Sequence, residues 1–159
     1  MVCGKNFLHM LVSDGANWNA FRGQNPDGVM LNGVSLPGAQ LSHADLRRAF
    51  LLNSDLHQAN LEGAHFEGAI LRKSNLRGSN LRHAQFDGAD LFSADLSGAD
   101  LREADLSSSF LRRADLRGAD LSTARGLTEN QIVAAVGDQD TRLPEYLARP
   151  STWLAGAHA

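Results

Sequence analysis

Residues 94–106 read Ala94-Asp95-Leu96-Ser97-Gly98-Ala99-Asp100-Leu101-Arg102-Glu103-Ala104-Asp105-Leu106. Leucine returns every fifth residue, alanine stands two positions before it, and aspartate lies between them. Followed in both directions, this register runs without a slip from Leu31 to Leu121, with Leu or Phe at nineteen consecutive fifth positions. Phe66 and Phe86 are the aromatic members. The residue two before each centre is small: mostly Ala, with Ser54, Ser74, Ser79 and Ser109, and Val29 and Val34 at the start. A period of five fits neither the 3.6-residue repeat of an amphipathic helix nor the alternation of a strand. A fixed short period held through most of a chain is the mark of a solenoid.

The centre (i) and the small residue (i−2) point the same way, as alternate residues of an extended segment do. The other three residues face outward and turn a corner. Glycine recurs in the last of them, at Gly63, Gly68, Gly78, Gly88, Gly98 and Gly118, where a turn favours a residue that accepts positive φ. Four such sides close a square coil, and coils stack at about 4.8 Å, the spacing of a parallel sheet. Phe66 and Phe86 then share one column in adjacent coils, and the serines lie inside, bonded to nearby carbonyls.

The triplets Ala94-Asp95-Leu96, Ala99-Asp100-Leu101, Ala104-Asp105-Leu106 and Ala119-Asp120-Leu121 resemble the pentapeptide repeat family. The resemblance covers residues 29–123. It implies an all-β solenoid, a right-handed quadrilateral parallel β-helix of about 19 pentapeptide repeats with short helical N- and C-terminal caps. It says little about activity, because many functions share such a scaffold.

Solenoid ends expose core and unpaired edges, so both flanks are expected to be caps. Residues 1–28 form the expected N-terminal cap, with a short helix inside 5–13 ended by Gly15. Trp18-Asn19-Ala20-Phe21-Arg22, followed by Asn25-Pro26, resembles a leader found before bacterial pentapeptide repeats, and Trp18 with Phe21 is expected to seal the first coil. Residues 124–159 form the expected C-terminal capping helix and extended tail. Thr128-Glu129-Asn130-Gln131 is a capping box, which places a helix at about 129–136 stopped by Gly137.

A chain of 159 residues suits one domain. The net charge of −3 argues for no nucleic acid or membrane partner. Cys3 is the one cysteine, which excludes a disulfide framework and fits a reducing compartment. The apolar run Phe7–Val12 is too short to span a membrane, and no small-residue cleavage site follows it. The expected location is cytoplasmic.

No pattern carries chemistry. His43 and His83 share a column but lie two coils apart, about 10 Å, too far for one ion. His57 and His65 project from different sides. The aspartates before the centres (Asp45, Asp55, Asp90, Asp95, Asp100, Asp105, Asp115, Asp120) recur because Asp and Asn side chains hydrogen-bond local backbone there. No catalytic, cofactor-binding or metal-binding residue is assigned, and no cofactor is expected.

The four faces differ. Residues twenty apart share a face, and the one centred on Leu31, Leu51, Leu71, Leu91 and Leu111 carries Met30, Phe50, Leu52, Ile70, Phe92 and Phe110 outward. No other face has an outward large aliphatic or aromatic residue. The same face holds Arg72, Lys73, Arg112 and Arg113 against one acid, Asp90, for a net +3, while the others are negative. Phe50, Leu52, Ile70, Arg72, Phe92, Phe110, Arg112 and Arg113 form the candidate interaction face, since such a stripe calls for a cover. Three covers are open: the chain's own tail (residues 138–159), a twin chain in a homodimer, or a different protein. The expected function is a non-enzymatic protein-interaction scaffold. The alternative, implied by the resemblance, is a DNA-mimicking protein that binds gyrase and protects it from quinolones. Against that alternative, the repeats are nearly neutral, with arginines interrupting the acids.

Overall fold

The computed structural model describes residues 4–13 and 15–154; Cys3 and residues 155–159 of the expected tail lie outside the described residues. Along the body, each residue before a centre pairs in parallel with the one twenty further on. Met30 pairs with Phe50, Ser35 with Asp55, Gln40 with Asn60 and Asp45 with His65. The same four columns continue to Asp90 with Phe110, Asp95 with Asp115, Asp100 with Asp120 and Asp105 with Arg125. The coil is thus four-sided with twenty residues per turn. Its pairs are isolated bridges rather than continuous strands, because each side turns a corner before a second consecutive pair forms.

Coils are bonded above and below. The centre donates to the next coil, as Leu51 N–H does to Ile70 O at 2.8 Å. The residue before it donates to the previous coil, as Phe50 N–H does to Val29 O at 2.8 Å. Each corner closes on the preceding centre, as Ser74 N–H does on Leu71 O at 3.1 Å. Only the second corner residue has positive φ, the signature of a type II turn. Ten corners, from His43 to Arg113, adopt this conformation without glycine, at φ of 53–61°. A non-glycine residue there costs on the order of 1 kcal/mol. The neighbouring coils hold the backbone in place and sustain that strain.

The interior follows the five-residue register. Leu31, Leu41 and the centres from Leu46 to Leu121 are buried. Leu36, in the first coil, is half-buried. Phe66 and Phe86 stack at a centroid distance of 5.0 Å with planes 3° apart. The four serines are buried and bond carbonyls: Ser54 to Leu31 O at 2.9 Å, Ser74 to Leu71 O at 2.7 Å, Ser79 to Leu76 O at 2.6 Å and Ser109 to Leu106 O at 2.8 Å. Ser74→Leu forces extra volume against this wall and removes one of the two donors to Leu71 O, so it should destabilise by about 1–3 kcal/mol. A melt of that variant matching the parent would contradict the inward placement.

The N-terminal segment has two helices where one was expected. Helix α1 spans Gly4–Ser13 and α2 spans Gly15–Gln24, so Gly15 opens a second helix as well as closing the first. Helix α2 lies where a coil below residues 43–47 would be, and its side chains stand in for backbone partners. Trp18 Nε1 donates to Asp45 O at 2.9 Å, Asn19 Nδ2 donates to His43 O at 2.9 Å, and Asp45 N–H donates to Asn19 Oδ1 at 2.9 Å. Arg22 is buried and donates to the carbonyls of Asp45, Asn25, Asp27 and Arg47. Burial lowers its guanidinium pKa, opposed by the nearby Asp45 carboxylate.

At the other end the register slips. Gly126 takes φ 72°, and an added Cβ there would lie 2.7 Å from Ser107 N. Helix α3 (Glu129–Ala134) starts at a complete capping box between Thr128 and Gln131. It stops two residues earlier than expected because Val136 is drawn into extended pairing with Asp115. Arg142 pairs likewise with Asp120. Residues 126–142 therefore add one irregular coil.

Candidate interaction face

The bridges Met30–Phe50, Phe50–Ile70, Ile70–Asp90 and Asp90–Phe110 form one continuous ladder. Its side chains make one column of the apolar face, and Leu52, Arg72, Phe92 and Arg112 make the column beside it. Met30 is 70 % exposed, Phe110 62 %, and Phe50 and Leu52 37 % each; Ile70 and Phe92 are half-buried by their neighbours. Arg72 Nε donates to Asp90 Oδ2 at 2.6 Å, and its guanidinium lies 5.7 Å from the centre of the Phe92 ring. Lys73, Arg112 and Arg113 are exposed. All the residues singled out in the sequence share this face. Beyond Arg112 the regular ladder ends, and Arg113 N–H bonds Ala134 O at the end of α3.

The described part of the tail, residues 138–154, does not cover the face. Residues 143–154 cross the C-terminal end of the solenoid instead. Leu143 and Leu147 pack against the core, Tyr146 Oη donates to Ala124 O at 3.2 Å, and Trp153 is buried over Gly137. Arg149 ties the segment to the carbonyls of Asp138 and Thr141. Asp138 accepts from the N–H groups of Gly118, Asp140 and Thr141. The physical reason is area: an open coil end exposes contiguous leucine interior, a larger apolar surface than single side chains on a sheet.

The other faces are held by their own residues. Each Asp or Asn before a centre accepts from the N–H two residues on: Asp95 from Ser97 at 2.9 Å, Asp105 from Ser107 at 2.9 Å, Asn80 from Arg82 at 3.2 Å. Where Arg stands two residues after an Asp, its guanidinium joins: Arg47 holds Asp45, Arg102 holds Asp100 and Arg117 holds Asp115. Hydrogen bonds from these arginines hold the carboxyls of Asp100 and Asp115 below the usual range, and the Ser107 hydroxyl does the same for Asp105. For Asp45, burial pushes up, but the Arg47 hydrogen bonds prevail and its pKa is lowered.

Each of these carboxyls is therefore more readily ionised folded than unfolded. Their stabilisation is complete above the unfolded value near pH 4 and is lost as pH falls through the lowered folded values. The melting temperature should stay flat down to about pH 4 and then fall. A rise below pH 4 would contradict these pairings.

Among the described residues, no group of His, Cys, Asp and Glu could hold a metal ion. A cleft of about 330 Å³ lies beside Arg117, Asp138, Asp140 and Trp153. There Arg117 is held by Asp115, and Asp138 by backbone N–H groups. No helix among the described residues is long and apolar enough to cross a membrane.

A family model for pentapeptide repeats matches the chain in eight copies over residues 27–63, 59–98 and 94–125. Among solved structures, the chain is similar to a pentapeptide repeat protein of Nostoc PCC 7120, at 27 % identity and a TM-score of 0.45 over 84 % of this chain and 87 % of that one. It is similar to one from the thylakoid lumen of Arabidopsis thaliana, at 29 % identity and a TM-score of 0.39 over 67 % and 80 %. A third is QnrB1, a plasmid-mediated fluoroquinolone resistance protein, at 22 % identity and a TM-score of 0.35 over 73 % and 68 %. No curated protein matches it in sequence. With the family model spanning most of the chain and the twenty-residue ladder beneath it, the chain belongs to the pentapeptide repeat family, and its body is that family's right-handed quadrilateral β-helix.

Proposed function

We infer that the protein is a non-enzymatic interaction scaffold that presents its apolar and basic face to a protein partner. The observation that carries this reading is the exposure of Met30, Phe50, Leu52 and Phe110 in adjoining columns on a rod whose other faces are polar. Phe and Arg together are common anchors of protein interfaces. Its compartment on this reading is the cytoplasm, which the cysteine usage supports.

The gyrase-binding alternative draws less support. A duplex mimic needs dense uncompensated negative charge, yet Asp45, Asp100 and Asp115 each carry an arginine. In a supercoiling assay with a quinolone, no protection of gyrase is expected.

The double variant Phe50→Asp, Phe110→Asp tests the face. Affinity capture from the native lysate should recover a partner with the parent and lose it, by at least about tenfold, with the variant. The melting temperature should move little, because both side chains are outward. The same partner recovered equally by both would remove the face from the function.

A further inference from the structure

We propose that the occupant of this face is an acidic amphipathic α-helix of another protein, lying along the solenoid axis. This rests on reading the face as a docking surface.

The charge argument begins with what is missing. At three sites elsewhere on the rod, an arginine just after a centre is neutralised by the aspartate just before it, Arg47 by Asp45, Arg102 by Asp100 and Arg117 by Asp115, and Arg82 pairs with Glu103. On this face that acidic position holds Ile70 before Arg72 and Phe110 before Arg112. Arg72 reaches up to Asp90 in the next coil. Arg112 makes no such pair among the described residues. The side chains of Lys73, Arg112 and Arg113 accordingly meet no carboxylate among the described residues. The face thus alternates large apolar groups with uncompensated cations.

A second copy is a poor cover. Face to face, two such surfaces bring together two sets of free cations, and the face's one acid, Asp90, is already held by Arg72. Burying arginine without a counter-charge is strongly unfavourable. An acidic partner removes that cost and adds charge-assisted hydrogen bonds.

Geometry selects the helix. The apolar ladder from Met30 to Phe110 climbs four coils, about 19 Å at sheet spacing. Across the rod, the two outward columns are about 7 Å apart. An occupant that uses the face must therefore run along the axis. A helix turn of 5.4 Å drifts from the rung spacing by only about 2 Å over three turns. An extended strand, with same-side residues about 6.8 Å apart, drifts as much at each step. About 13 residues of helix match the ladder's length.

The test is a selection of displayed 18-residue random peptides on the full-length protein, with deselection on Phe50→Asp, Phe110→Asp. Retained sequences should be net negative, with apolar residues spaced three and four apart. A synthetic peptide of the best sequence, followed by fluorescence anisotropy, should bind at least tenfold more weakly to Arg112→Glu, Arg113→Glu. A proline at its centre should abolish binding. Retained sequences that are neutral or basic, or that tolerate the proline, overturn the acidic helix. A parent that light scattering shows to be a dimer, dissolved by Phe50→Asp, Phe110→Asp, also overturns it while leaving the docking face standing. A monomeric parent from which no peptide distinguishes the variant overturns both.

Discussion

Replacing Phe66 with alanine should lower the unfolding free energy by about 3–5 kcal/mol. Phe66 and Phe86 are fully buried and lie one above the other. Removing one ring leaves a void that the fold cannot close. The coils are held at fixed spacing by Phe66 N–H on Gln85 O at 2.7 Å and His65 N–H on Ala44 O at 3.0 Å. Collapse would have to break that ladder. The stacked partner also loses an aromatic contact worth about 0.5–1.5 kcal/mol. Phe66→Leu, which restores the usual centre of a repeat, should cost under about 1.5 kcal/mol. Urea unfolding of the three proteins measures both differences. An alanine variant as stable as the leucine one would show that the interior relaxes, contrary to the stacked-coil packing.

Replacing Arg22 with methionine should cost about 3 kcal/mol and act through the N-terminal end. Methionine fills much of the same space but donates nothing, so the carbonyls of Asp45, Asn25, Asp27 and Arg47 lose their shared donor. Arg22→Lys keeps the charge, yet a single ammonium cannot span acceptors laid out for a planar guanidinium. It should recover less than half of the loss. Hydrogen exchange in α2 and at Asp45 should accelerate in both variants, while exchange at Leu96 and Leu101, far along the rod, stays slow. Unchanged protection of α2 would show that Trp18 and Asn19 suffice to hold the end.

These two expectations differ in how far the residues alone foretell them. Phe66 over Phe86 follows from arithmetic: twenty residues per coil places them in one column, and the rings are there. Arg22 was in view within Trp18-Asn19-Ala20-Phe21-Arg22, but only its aromatic members suggested a seal. Its role depends on which backbone carbonyls the first coil leaves unpaired, and local sequence does not show those. The face was legible by the same counting, which puts Phe50, Leu52, Ile70, Arg72, Phe92, Phe110, Arg112 and Arg113 together. The count ends there, because Gly126 breaks the period.

The repeat by itself determined the four-sided coil, the leucine interior, the buried serines and the aspartates turned onto their own backbone. Each is a contact within five residues or between neighbouring coils, and a strict period dictates both. Only the tertiary structure decided where the ends go. Residues 143–154 were drawn to the open coil end, where contiguous leucine interior offers the most apolar area, and the stripe was left bare. That choice compares two distant surfaces for one aperiodic segment, and no local pattern encodes the comparison.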